Sequence, residues 1–117
     1  MAFRLLNAIP KLASLDLVRS LEFFGKLGFE VQQPTADYGL IWRDEVEIHF
    51  WLCNDPSIPR ATACRIEVES IDELADLLER HGALSEHGRP ALRPWGYREC
   101  HLYDPDGNLV TFAESAR

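Results

Sequence analysis

Two short amphipathic helix patterns, each preceded by one strand candidate and followed by three, restrict what this chain can fold into more than any other feature. Asp16 is placed to cap the first helix, which runs to about Leu27. Leu17, Leu21, Phe24 and Leu27 recur at helical spacing, and Gly28 stands where the helix must stop. The second opens at Ser70-Ile71-Asp72-Glu73, which reads as a capping box. It continues through Ile71, Leu74, Leu77 and Leu78, with Asp76 and Arg80 on its wet side, and closes at His81-Gly82. Strand candidates at 8–13 and 63–69 precede the helices; 29–33, 38–42 and 46–52 follow the first, and 90–93, 98–103 and 109–114 the second. Arg43-Asp44-Glu45 and Asp104-Pro105-Asp106-Gly107-Asn108 supply the turns. The order is β-α-β-β-β, twice. It predicts an α+β fold in one domain over 1–117, with modules at about 7–53 and 61–114 and a junction at 54–60, where Pro56 and Pro59 sit. The halves repeat a pattern, not a sequence.

Composition sets the class of protein. At 117 residues, 46% apolar and 26% charged, the chain has the mixture of one globular domain. Its apolar runs fall far short of the roughly 20 residues that cross a bilayer, and no basic-then-apolar start marks a secretory signal, so a soluble, cytoplasmic protein is expected. Cys53, Cys64 and Cys100 lack C-x-x-C spacing and fall in apolar stretches, as small buried thiols do. Twelve Lys and Arg against nineteen Asp and Glu give a net charge of -7, which disfavours nucleic acid and anionic membranes as partners and favours a cationic ligand.

Period-two alternation divides the strands into faces. Val46, Ile48, Phe50 and Leu52, then Cys64, Ile66 and Val68, then Cys100 and Leu102, and finally Val110 and Phe112 form apolar faces for the two helices to cover. The opposite side collects Glu47, His49, Trp51, Arg65, Glu67, Glu99, His101 and Tyr103. That is either a solvated sheet face or a cleft that orients a polar ligand with a few charges and aromatic walls, and the aromatic residues favour the cleft.

Three segments carry a resemblance: Leu15-Asp16-Leu17 through Leu27-Gly28-Phe29, Ile71-Asp72-Glu73-Leu74, and above all Tyr103-Asp104-Pro105-Asp106-Gly107-Asn108 before a last strand. With the element order, they resemble the vicinal oxygen chelate superfamily of glyoxalases, bleomycin resistance proteins and dioxygenases over essentially the whole chain. Ala8-Ile9-Pro10, Arg43-Asp44 and Pro94-Trp95-Gly96 followed by Arg98-Glu99 look most like the bleomycin resistance proteins. The resemblance implies paired modules whose sheet curves around a cleft, and a homodimer that exchanges its first strand at Pro10.

Enzymes of this superfamily hold a divalent metal from four strands, at positions that fall here on Ile9, His49, Ala63 and Thr111. Only His49 is a good ligand; Ile9 and Ala63 have no donor atom and a threonine hydroxyl is a poor one, so no metal cofactor and no catalytic residue are expected. A rival set, His49 and His101 with Glu47, Glu67 or Glu99, has the composition of a facial triad but not the family's positions. No nucleophile elbow, P-loop or dinucleotide fingerprint is present, and Cys100 and His101 fall on opposite faces.

The implied function is sequestration: bleomycin has a cationic tail and a flat bithiazole, and binding alone keeps it from DNA. Tyr38, Trp51, Trp95 and Tyr103 are the stacking candidates, Glu47, Glu67 and Glu99 the charge partners, and His49, Arg65, His101 and Thr111 the orienting groups. Trp95, in Pro94-Trp95-Gly96-Tyr97, is either a rim wall or a plug in the core, and Trp42 is structural or at an interface. His81 and His87 read as caps or exposed residues. A metal-dependent lyase, isomerase or dioxygenase, or a module for another small molecule, are the alternatives.

Overall fold

The Asp16 side chain accepts from the Arg19 N–H at 3.1 Å and starts α1 (Leu17–Lys26), which buries Leu17, Leu21 and Phe24 as its spacing requires. Phe24 is the hub beneath it, with ring centroids 5.8 Å from Phe29 and 5.5 Å from Phe50. The computed structural model describes residues 2–117. Its first module is completed by β1 (Lys11–Ser14), β2 (Glu30–Thr35), β3 (Tyr38–Arg43) and β4 (Val46–Leu52). After a 3-10 turn at Pro59–Ala61 come β5 (Ala63–Glu67), α2 (Ile71–Arg80), β6 (Ala91–Leu92), β7 (Tyr97–Tyr103) and β8 (Leu109–Ser115).

The strands form two four-stranded sheets with the same order, β1-β4-β3-β2 and β5-β8-β7-β6. In each, the outer strand before the helix runs parallel to the last strand and the rest are antiparallel. The β-α-β-β-β repeat is therefore present as topology. Ile48 and Phe50 in one sheet and Leu102, Val110 and Phe112 in the other point into one apolar core shared with the helices. Leu52 departs from the pattern: at the end of β4 it is 42% exposed.

The first strand is shorter than the sequence pattern suggests. It begins at Lys11 rather than residue 8, because Pro10 has no N–H to donate to a ladder; its carbonyl accepts from the His49 N–H at 3.0 Å and the chain before it leaves the sheet. β1 pairs with β4 of its own chain. The preceding arm carries Phe3, Leu5 and Leu6 at 81%, 89% and 81% exposure.

The capping box at Ser70 does not form either. Ser70 lies in the left-handed region (φ 60°) and its side chain makes no capping bond. Instead Glu114, from β8, accepts from the Ser70 N–H at 2.8 Å and the Ile71 N–H at 3.1 Å, so one carboxylate satisfies two orphan donors at the positive end of the helix.

The Asp104–Asn108 turn joins the modules. Asn108, fully buried, donates through Nδ2 to the Ala13 carbonyl at 2.7 Å and to Asp104 at 2.8 Å, and accepts from the Thr62 hydroxyl. Asp106 accepts from the Leu15 N–H at 3.0 Å and pairs with Arg19. Gly107 sits at φ 100°, and a Cβ there would meet the Arg60 side chain at 3.1 Å, so the turn needs glycine for both backbone and space. Cys53 and Cys100 are buried and Cys64 half-buried; burial pushes the Cys64 and Cys100 thiols up to about 11, which makes them packing groups and not nucleophiles. Among the described residues no helix is long and apolar enough to cross a membrane.

Candidate functional site

The polar residues that alternation assigns to one side form two groups, one per sheet. No hydrogen bond or ion pair among the described residues joins them. The single face expected from the sequence is thus divided between two sheets, because a period of two tells which side of a strand a residue takes but not which sheet the strand enters.

On the first sheet, β4 carries Glu47, His49 and Trp51 and β3 carries Tyr38. His49 Nε2 lies 2.5 Å from Glu47 Oε2, and His49 Nδ1 lies 2.7 Å from the Tyr38 hydroxyl. Register sets Tyr38 opposite Trp51, which is 37% exposed, and Lys11 opposite His49. The Lys11 ammonium is 5.6 Å from the Tyr38 ring centroid.

On the second sheet, Glu99 is almost wholly buried and already engaged. Its Oε2 accepts from the Trp95 indole at 2.7 Å and from Arg65 at 2.8 Å. Burial alone would raise the Glu99 carboxyl; the Trp95 hydrogen bond and the Arg65 guanidinium outweigh it and hold the group below its ordinary range. Glu99 is therefore not a free charge for a cationic ligand, as its place on the strand suggests, but the anchor of Trp95. Trp95 itself is 59% exposed, which removes the core-plug reading. Arg65 lies 5.1 Å from the Tyr97 ring centroid, a contact the sequence reading missed; Tyr97 alternates with Glu99 along β7, which was the available signal.

His101 Nδ1 is 3.0 Å from the hydroxyl of Thr111, its cross-strand partner, and its ring centroid is 5.8 Å from that of His87. Burial first, then the His87 and Arg93 charges, lowers the His101 pKa below its ordinary value and so favours the neutral imidazole. Tyr103 is 45% exposed, and Glu67 is exposed at the end of β5. Trp42, beside the hairpin turn, is 36% exposed. His81 is an exposed helix C-cap and His87 is exposed.

The superfamily's metal does not fit this donor set. Ile9 lies outside the sheet, and the register places Lys11 beside His49 and Arg65 beside Thr111, so a cation neighbours each would-be ligand. Both ring nitrogens of His49 are engaged, and the Thr111 hydroxyl is taken by His101. His49 and His101 stand on different sheets, and among the described residues no group of three His, Cys, Asp or Glu is placed to hold a metal. A groove of about 1190 Å³ runs between the modules, lined by Leu27, Phe29, Val46, Leu74 and acidic residues; of the predicted site residues only Glu67 reaches it, and it lies away from the aromatic faces.

A model of the Glyoxalase/Bleomycin resistance protein/Dioxygenase superfamily matches residues 11–112. The chain is 30% identical over 133 aligned positions to a bleomycin resistance protein of Geobacillus stearothermophilus, covering 97% of this chain and 99% of that one. Its fold matches that of the bleomycin resistance determinant encoded on transposon Tn5, with a TM-score of 0.84 at 23% identity over 95% of this chain and 98% of that one. It also matches the bleomycin-binding protein from bleomycin-producing Streptomyces verticillus, solved with copper(II)-bleomycin: TM-score 0.83 and 25% identity over 95% and 97% of the two chains.

Proposed function

The chain belongs to the Glyoxalase/Bleomycin resistance protein/Dioxygenase superfamily, and on that premise we propose that it confers resistance by binding bleomycin-type glycopeptides without altering them. The observation that carries this reading is Trp95. An indole 59% exposed yet tied by its N–H to a buried carboxylate is a flat wall held in place before any ligand arrives, so little ordering remains to oppose stacking of a heterocycle. Trp51, Tyr38 and Tyr103 offer further aromatic surface, and Glu67 supplies negative charge for a cationic tail, while Glu47, its carboxylate already bound to His49, holds that imidazole in place. Arg65, His101 and Thr111 orient polar groups on the second sheet, with Glu99 acting through Trp95.

The two polar faces become one cleft when a second copy brings its opposite sheet against each. Phe3, Leu5 and Leu6 are the surface that binds that copy: three large apolar side chains upstream of Pro10 that their own chain leaves in water. The reading is a homodimer with two equal clefts and no turnover.

Calorimetric titration with metal-free and copper-loaded bleomycin tests it. Saturation at submicromolar drug with two molecules per dimer is expected, together with protection of DNA from cleavage in proportion to the protein added. Absence of heat and of tryptophan fluorescence change at tens of micromolar drug overturns the ligand and leaves the fold in place.

A further inference from the structure

Glu47, His49 and Tyr38 form a continuous row, with Glu47 Oε2 2.5 Å from His49 Nε2 and the Tyr38 hydroxyl 2.7 Å from His49 Nδ1. A carboxylate offers only acceptors, so the proton in the first contact sits on Nε2. Neutral imidazole has one ring proton, so Nδ1 is then a bare lone pair and the phenol must donate to it. With its only hydrogen committed inward, the Tyr38 oxygen turns nothing but lone pairs outward. The face is built for this order: Leu40 and Lys11 flank His49 in register, and neither carries an acceptor that competes for Tyr38's proton.

We propose that Tyr38 is a specificity-determining residue whose oxygen is an acceptor-only subsite, receiving a neutral N–H donor such as a carboxamide, with His49 and Glu47 as positioning residues that act through it. The Lys11 ammonium, 5.6 Å from the Tyr38 ring centroid, disfavours a second full cation at this spot, and Trp51 opposite Tyr38 supplies a flat neighbour. The choice of ligand rests on the bleomycin-binding reading; the order of protons does not. The titratable and charged groups facing His49 are Glu47 from β4, Tyr38 from β3 and Lys11 from β1.

The test has two parts. In ligand-free protein labelled with 15N-histidine at pH 8, His49 is expected as the Nε2–H tautomer; an Nδ1–H tautomer or an imidazolium overturns the inference. In drug titrations, Tyr38→Phe is expected to weaken binding about tenfold without lowering the thermal midpoint, the loss of one well-made hydrogen bond. Glu47→Gln is expected to weaken binding about threefold in the unaltered background and not at all in Tyr38→Phe, since its effect runs through the phenol. Unchanged affinity in Tyr38→Phe, or an equal Glu47→Gln effect in both backgrounds, contradicts it. Should the unaltered protein bind no bleomycin, the functional reading falls, and the tautomer alone decides whether the acceptor-only phenol stands.

Discussion

Asn108→Ala is expected to lower the free energy of unfolding at pH 7 by about 3 kcal/mol, the largest stability loss from any single polar side chain outside the ligand faces. The side chain is fully buried and carries three bonds that reach three parts of the molecule: the Ala13 carbonyl of β1, Asp104 in its own turn, and Thr62 after the 3-10 turn. Truncation takes a donor from the Ala13 carbonyl and from Asp104 Oδ2, while Thr62 keeps its bond to the Pro59 carbonyl and Asp104 Oδ1 keeps the Asp106 and Asn108 backbone N–H groups. Asp104 suffers most. Burial already raises its carboxyl above the ordinary value of 3.8, against the lowering effect of its Asn108 bonds. An acid whose folded pKa is raised contributes stability below its unfolded pKa and loses it as pH rises through the folded one. Removing a donor raises it further, so the deficit of Asn108→Ala is expected to grow between about pH 4 and 7. Urea denaturation at the two pH values measures both effects; a loss below about 1 kcal/mol at pH 7 contradicts the account of this turn as the tie between modules.

Trp95→Ala is expected to weaken bleomycin binding by about 30- to 100-fold while leaving stability almost unchanged. The two readouts separate because Trp95 is 59% exposed, so little apolar burial is lost on truncation, whereas a preset stacking wall is lost entirely. Trp95→Phe keeps a ring but not the N–H that Glu99 holds at 2.7 Å, and is expected to fall between the two. Glu99 remains paired with Arg65 in either variant. Its lowered pKa means that its contribution to the fold is present above the ordinary value of 4.5 and is lost as pH falls through the folded value, the opposite sense to Asp104. Affinity within fivefold of the unaltered protein in Trp95→Ala removes this residue from the binding surface.

The parts of the molecule that local chemistry dictates were legible in the sequence. Asp16 caps α1, β4 spans the alternating run Val46–Leu52, and the Asp104–Asn108 turn falls where its residues demand. What the sequence concealed comes from partners far along the chain. Glu114 replaces Ser70 as the cap of α2 from 44 residues away. Glu99 looks like an open charge until Arg65 and Trp95 close on it. Alternation placed Glu47, His49 and Trp51 on the same side as Glu99, His101 and Tyr103, yet the chain sends them to separate sheets. Pro10 gave a readable sign that the first strand could not extend through residue 8, and the exposed arm before it is the consequence.

Native mass spectrometry of the protein after prolonged incubation with copper-loaded bleomycin addresses dimer, stoichiometry and chemical integrity in one spectrum. The account predicts a dimer carrying two drug molecules, each released on activation at its starting mass. A monomer without drug, or a released drug of altered mass, contradicts sequestration in paired clefts.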